Sequence, residues 1–586
     1  MILAALLLAA QTGYVPPVLK GVKGDVPART VTGPIAFPDP NETWIRVQSP
    51  HFVLISSAGE PRTREIAGDL ETLAAALSSL TPQFRVATDA PTRVFLFARP
   101  RESRGYFDML LDRRDAHVSG VFVSQKSGGT MLLDATAARD DRTPYHELVH
   151  YLISNSDARP PLWLEEGLAE YFGSAGVERI RRHEQVLATR TLMPLDKLFA
   201  IRRESDAYAD DGQAAFYAQS WAIVDWLVRN GGKGHTRFFA FLGDVEQGVP
   251  VETALQNRYG RSLPSLRGYR SAVAQPPLWK AAAPPPHSEM TATPLDRAAI
   301  LYELGNFLAG IEEMKGEAER HFRAALEANP RHARALAGLG RYDEALAADP
   351  SDAQIDLDYA EALMGTQIGP LAEAESDVDA AAFRKARALA QKAIDLGDTG
   401  GRAYGDLGTS SIVEKDGDLA PGIAALERAH ALLPARTDYA LHLFALYRRT
   451  GDRAKAAPLF ARLDAARNAQ VAYAARAIIM RVETNRATEL VHQQKLDEAA
   501  AVLRALAAES GGDKNLEKQA ADYEKLAATN RQIEAYNLAI GQVNKGQYTA
   551  ARKSLERLLA GSVDADIARD AKKLLAQVKA AETLRR

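Results

Sequence analysis

The feature that most constrains this chain is the segment Tyr145-His146-Glu147-Leu148-Val149-His150. Two imidazoles four residues apart on a helix stand one turn apart on the same face, close enough to share one metal ion. A glutamate beside the first of them reaches a water on that ion and can take its proton. Thr143 suits a helix cap and Pro144 the first helical position, so the spacing predicts a helix that begins just before the histidines. Leu148, Val149, Leu152 and Ile153 give that helix an apolar side to bury. A buried amphipathic helix that happens to carry two histidines is the plainer reading, and the next stretch weighs against it.

Pro160-Pro161 breaks the chain ahead of Leu162-Trp163-Leu164-Glu165-Glu166-Gly167-Leu168-Ala169-Glu170-Tyr171-Phe172. A hydrolytic metal site wants three protein ligands and one open position. Glu166 can be the third ligand, delivered by a second helix and separated from His150 by residues 151–165. Glu170, on the same helical face, suits a carboxylate that holds the free ring nitrogen of a ligand histidine. Glu165 reads as solvated, and Trp163 and Leu164 as core. The chain has no cysteine, so disulfides and thiolate ligands are excluded and any metal must use histidine and carboxylate.

His146-Glu147-x-x-His150 together with Trp163-Leu164-x-Glu166-Gly167-x-Ala169 resembles the gluzincin metallopeptidases, the thermolysin and aminopeptidase clan. The continuation Leu168-Ala169-Glu170-Tyr171 is most similar to the peptidase-MA-like domains of bacterial exported proteins. The resemblance implies that His146, His150 and Glu166 are zinc ligands and that Glu147 is the general base. The spacing to Glu166 is shorter than in the larger members of that clan, which leaves Glu170 as an alternative third ligand. No G-x-M-E-N motif precedes the zinc helix, so an aminopeptidase assignment has no support.

Ahead of the motif, residues 51–56, 93–97, 118–123 and 130–133 read as strands, the last two joined by the turn-forming Ser127-Gly128-Gly129. Residues 61–80 carry Ile66, Leu70, Leu73, Ala74 and Leu77 at helical spacing. This order predicts an α+β layer whose last strand is an exposed edge able to hold an extended peptide. Beyond the motif, Ala214 to Trp221 opens an apolar helix. A tyrosine there can donate to the oxyanion of a tetrahedral intermediate. Tyr217 is the candidate, with Tyr208 behind it and simple packing as the alternative. His235 reads as a loop or helix-cap residue and not as a ligand.

Residues 1–10 are apolar and end in small residues, like the core of a secretory signal, though without a basic leader. Export, to a periplasm, is the expectation, with a cytoplasmic location as the alternative. No later stretch is long and apolar enough for a membrane helix. The 586 residues carry a net charge of −3, which implies no nucleic acid or other polyanion as partner. Residues 11–41 read as an extended linker, 42–275 as the metallopeptidase-like domain, and 276–294 as a Pro-rich linker.

From residue 295 to 586, Ala, Leu, Glu, Arg and Lys dominate and motifs recur, as in Gly422-Ile423-Ala424-Ala425-Leu426-Glu427-Arg428-Ala429 and Gly546-Gln547-Tyr548-Thr549-Ala550-Ala551. These resemble tetratricopeptide repeats, with a small residue where paired helices touch and an aromatic or Leu in the groove; roughly five to eight repeats are expected at a period near 34 residues. The expected fold is therefore α+β: a gluzincin-like zinc peptidase domain followed by an all-α tetratricopeptide-like solenoid. The expected activity is hydrolysis of a peptide or protein substrate, with a possible protein partner on the helical surface. A catalytically silent binding scaffold and a zinc amidase acting on cell-wall peptides are the alternatives.

Overall fold

The computed structural model describes residues 34–80, 92–110, 120–125, 128–136, 143–154, 160–173, 177–201, 212–260, 262–263, 267, 289–365, 379–413, 417–434, 436–464 and 469–585. The expected signal at residues 1–10, Ser127, Tyr208 and most of the Pro-rich stretch after residue 275 lie outside them. The chain divides into two compact units, Met1–Leu443 and Phe444–Arg586.

The first unit is built on a mixed sheet of strands β1 (Trp44–Gln48), β2 (Phe52–Ser56), β3 (Thr92–Phe97), β4 (Gly120–Gln125), β5 (Gly128–Asp134) and β6 (Thr291–Leu295). Their order is β4-β5-β3-β2-β1-β6. β2, β3 and β5 run parallel, and the other pairings are antiparallel. Helix α1 (Glu60–Leu80) connects β2 to β3, and α2 (Pro100–Leu110) follows β3. Parallel neighbours need such crossovers.

Alternation along the strands sends side chains to two separate cores. Leu54, Val94, Leu96, Met131 and Leu133 enter one core, with Ile66, Leu70, Leu73 and Leu77 of α1. Ile55, Phe95, Phe97 and Leu132 enter the other, with Tyr106 and Phe107 of α2. Both faces of the central strands are covered, as a parallel sheet requires.

Three expectations change here. The last strand ahead of the histidines, β5, is not an edge, because it pairs with both β4 and β3; the sheet ends at β4 and at β6. The end of the expected 276–294 linker is strand β6, which adds to β1 from Trp44↔Leu295 to Gln48↔Thr291. The end of the expected 11–41 linker is fastened as well: Ile35 is buried, Phe37 meets the His321 ring edge-on at 4.9 Å, and Arg320 sits 4.0 Å over the Phe37 ring. β1 and α2 fall where the sequence reading placed no element. Both carry apolar residues that enter the cores, Trp44 and Val47 from β1 and Tyr106, Phe107, Met109 and Leu110 from α2.

Past the sheet come α3 (Thr143–Ser154), α4 (Leu162–Gly173), α5 (Val177–Thr189), α6 (Leu195–Ala200), α7 (Gly212–Arg229), α8 (Thr236–Glu246) and α9 (Val251–Tyr259). Tyr145, Leu148, Val149 and Leu152 of α3, Trp163 and Leu168 of α4, and Phe216 and Trp221 of α7 join the α1 core.

The helical series follows as α10 (Arg297–Ala309), α11 (Lys315–Ala328), α12 (Ala333–Gly338), α13 (Tyr342–Ala348), α14 (Ala353–Gly365), α15 (Ala380–Asp395), α16 (Gly401–Thr409) and α17 (Ala420–Leu432). Each packs on the next. The first two also close the second face of the sheet, through Leu301, Phe307 and Phe322. A boundary at 294/295 therefore cuts through a shared core. Small residues sit where these helices touch: a Cβ on Gly305 would lie 2.9 Å from the Phe322 ring, and one on Gly338 would lie 2.7 Å from it. Burying a phenylalanine in such a seat contributes about 1.5–3 kcal/mol.

The α18 helix (Thr437–Thr450) carries the chain into the second unit, which holds α19 (Arg453–Asp464), α20 (Ala469–His492), α21 (Leu496–Glu509), α22 (Lys514–Asn544), α23 (Tyr548–Leu559) and α24 (Ala565–Arg585). From α20 onward each helix again packs on its successor. Its cores are alanine-rich, as at Ala539, Ala551, Leu555 and Ala571. The buried Arg448 meets Glu483 at 2.6 Å and Glu509 at 3.2 Å.

Candidate metal centre

His146 and His150 lie four residues apart on α3, which begins at Thr143. Their rings meet edge-on at 4.8 Å, with Nε2 atoms 3.1 Å apart. Pro160-Pro161 precede α4, where every residue from Leu162 to Gly173 is buried. Glu166 on that helix brings Oε2 to 3.1 Å from His150 Nε2 and 3.5 Å from His146 Nε2. These three residues can each offer one donor atom with all three atoms within 4.8 Å of one another, and no other such cluster of His, Cys, Asp or Glu occurs among the described residues.

Two glycines allow the approach. A Cβ on Gly167 would lie 2.6 Å from the Ser220 carbonyl oxygen and 2.7 Å from Val224 Cγ2, both on α7. A Cβ on Gly173 would lie 3.0 Å from His146 Cβ. Gly167→Ala is thus expected to push α4 off α7 and cost about 1–3 kcal/mol, the range for an overfilled core. Thermal unfolding checks this, and an unchanged midpoint would show that the contact yields freely.

Each of the two histidines has its Nδ1 near a carboxylate, hydrogen-bonded at His150 and at ion-pair distance without a hydrogen bond at His146. His150 Nδ1 is 2.8 Å from Glu165 Oε1, and His146 Nδ1 is 3.3 Å from Glu170 Oε1. Glu165 is 1% exposed, which corrects its reading as a solvated residue: α4 has no wet face. Glu170 in turn accepts from Arg179 Nε at 2.8 Å and Nη2 at 2.7 Å, and its Oε2 is 2.9 Å from His183 Nε2. The His183 ring stacks on Trp221 at 5.2 Å. Arg179 and His183 on α5 escaped the sequence reading. Their one signal is the four-residue spacing that sets both on one face of a helix.

Buried carboxylates need compensating positive charge. At His146, burial opposes the charged ring, but Glu170 and Glu166 outweigh it and push its pKa up to about 9. At His150, burial is likewise outweighed by Glu166 and Glu165, and the pKa stands well above the ordinary value. Burial would raise the Glu166 and Glu170 carboxyls, yet the neighbouring imidazoles hold both below the usual range. The carboxylates thus favour positive charge at the centre of the cluster.

The donor set fits zinc. Ligand atoms about 2.0–2.1 Å from a tetrahedral ion stand about 3.3 Å from one another, and the three separations here are 3.1, 3.1 and 3.5 Å. Glu147 lies beside the three donors. Its Oε2 is buried with no hydrogen-bond partner among the described residues, and its Oε1 lies 4.0 Å from His146 Nε2. Burial raises the Glu147 carboxyl, with the imidazoles opposing.

The Tyr217 ring meets the His146 ring edge-on at 6.2 Å, and its hydroxyl accepts from Gln213 Nε2 at 3.4 Å. His235 stands at the N-cap of α8 in a left-handed conformation, with Nδ1 3.3 Å from the Val228 carbonyl oxygen.

No protein-family model matches the chain. No curated protein matches it either. Among solved structures it is similar to the TPR domain of P58(IPK), at 13% identity over 49% of this chain and 99% of that one, with a TM-score of 0.18. It is also similar to human IFIT1 in a dimer with PPP-AAAA, at 15% identity over 66% of this chain and 94% of that one, with a TM-score of 0.21. At these scores neither likeness bears on the metal centre or on function.

Proposed function

We propose that this chain is a zinc-dependent peptidase whose helical series serves as a protein-binding scaffold. The observation that carries the reading is the convergence of His146, His150 and Glu166, with the unpartnered carboxylate oxygen of Glu147 beside them. His146, His150 and Glu166 would hold the ion. A bound zinc ion supplies Lewis acidity toward a carbonyl and a nucleophile at neutral pH.

Glu147 receives the proton of the attacking water at its carboxylate and passes it to the leaving amine. Glu165 and Glu170 fix the ring orientation of the two histidines and raise their basicity. Tyr217, in contact with the His146 ring, is the candidate donor to the oxyanion. β4 pairs with β5 alone among the described strands and packs against α3. Its free edge can hold an extended substrate by main-chain hydrogen bonds.

Hydrolysis of a denatured-protein mixture, compared with that of peptidoglycan fragments, tests the substrate class. Cleavage of the protein mixture that stops with a zinc chelator is the expected result. Cleavage of the fragments alone would mean a cell-wall amidase. A zinc-loaded chain inert toward both would mean a binding module.

A further inference from the structure

The carboxylate that faces His146 is itself gripped. Arg179 reaches Glu170 with both arms of its fork, at 2.8 Å to Oε2 and 2.7 Å to Oε1. His183, one helical turn on, adds Nε2 at 2.9 Å from Oε2. Two-armed contact by a planar guanidinium fixes a carboxylate in rotation as well as position. The stacked Trp221 ring holds His183 in turn, and His183 is 8% exposed. Glu170 Oε1, shared between Arg179 and the His146 side, is the only route by which α5 touches a ligand histidine in the contacts described.

We propose that Arg179 and His183 form a positioning clamp that sets the orientation of His146 through Glu170, and with it the affinity and geometry of the metal centre. The inference rests on the zinc reading above. Neither residue touches the ion or the substrate. Arg179 also supplies a permanent positive charge against a cluster in which Glu165, Glu166 and Glu170 are all at most 2% exposed. Without it, Glu170 would be free to turn from His146 toward solvent or toward the ion itself.

The test uses the full chain, with zinc affinity measured by competition against a chromophoric chelator and ligand geometry read from the visible spectrum of the cobalt(II) form. Loss of such an outer partner typically weakens metal binding 10–100-fold, and Arg179→Met is expected in that range with a shifted cobalt spectrum. Glu170→Gln should behave alike. The double variant should then be no more than about 3-fold weaker than the worse single one, because both changes break the same link. Arg179→Lys keeps the charge without the fork and should recover only part of the loss. If Arg179→Met does not fold, Arg179→Lys and His183→Gln carry the same spectral and affinity readouts.

Affinity and cobalt spectrum unchanged in Arg179→Met, or in both milder variants, would overturn the clamp and leave the zinc site standing. Fully additive losses in the double variant would also overturn it. A wild-type chain that takes up no zinc would overturn the zinc reading and the clamp with it.

Discussion

Glu147→Gln is expected to cut peptide cleavage by at least ~100-fold, the lower end for loss of a positioned general base, while zinc content and fold stay as in the wild type. Glu147 shares α3 with the two histidines, but its Oε2 has no partner among the described residues and its Oε1 is 4.0 Å from His146 Nε2. It therefore stands beside the donor cluster and outside it. The amide keeps the size of the side chain and removes the basic oxygen. Paired measurements of bound zinc and of peptide hydrolysis check this. Loss of zinc along with activity would make Glu147 a ligand, and full activity in the variant would place the base elsewhere.

Glu166→Gln is expected to lose metal and activity together, because an amide is a much poorer zinc ligand than a carboxylate. Geometry separates Glu166 from Glu170, the alternative third ligand. Glu166 Oε2 faces the Nε2 atoms of both histidines, at 3.1 and 3.5 Å. Glu170 faces the Nδ1 side of His146, and both of its oxygens are held by Arg179. Glu170→Gln should therefore weaken zinc binding without abolishing it. If Glu166→Gln kept its zinc and Glu170→Gln lost it altogether, the two faces of α4 would be assigned the wrong way round.

That His146, His150 and Glu166 could converge was readable because helical spacing is rigid. Four residues apart on α3 and four apart on α4 fix which side chains share a face. What the sequence could not reveal was burial. Glu165 and Glu166 are adjacent, and a surface helix would expose one of them, yet α4 is enclosed on all sides and both turn inward. Arg179 and His183 stayed hidden for a related reason, since their four-residue spacing shows only that they share a helix face and not that they reach across to another helix. The strands beside α1 were legible from their apolar runs. β6 was not, because Thr291-Ala292-Thr293-Pro294-Leu295 has little apolar content and pairs with β1, far away in sequence. The same non-local pairing, with Phe307 and Phe322 filling the sheet's second face, hid the continuity between sheet and helical series.

The central claim is that His146, His150 and Glu166 hold one zinc ion. Elemental analysis of the purified full chain, beside His146→Ala and His150→Ala, tests it most directly. The wild type should carry about one zinc per chain, as a three-ligand mononuclear site implies. Each variant should carry none while its helical content stays unchanged. Full zinc occupancy in both variants, or a folded wild-type chain that takes up none from a zinc-containing buffer, would contradict it.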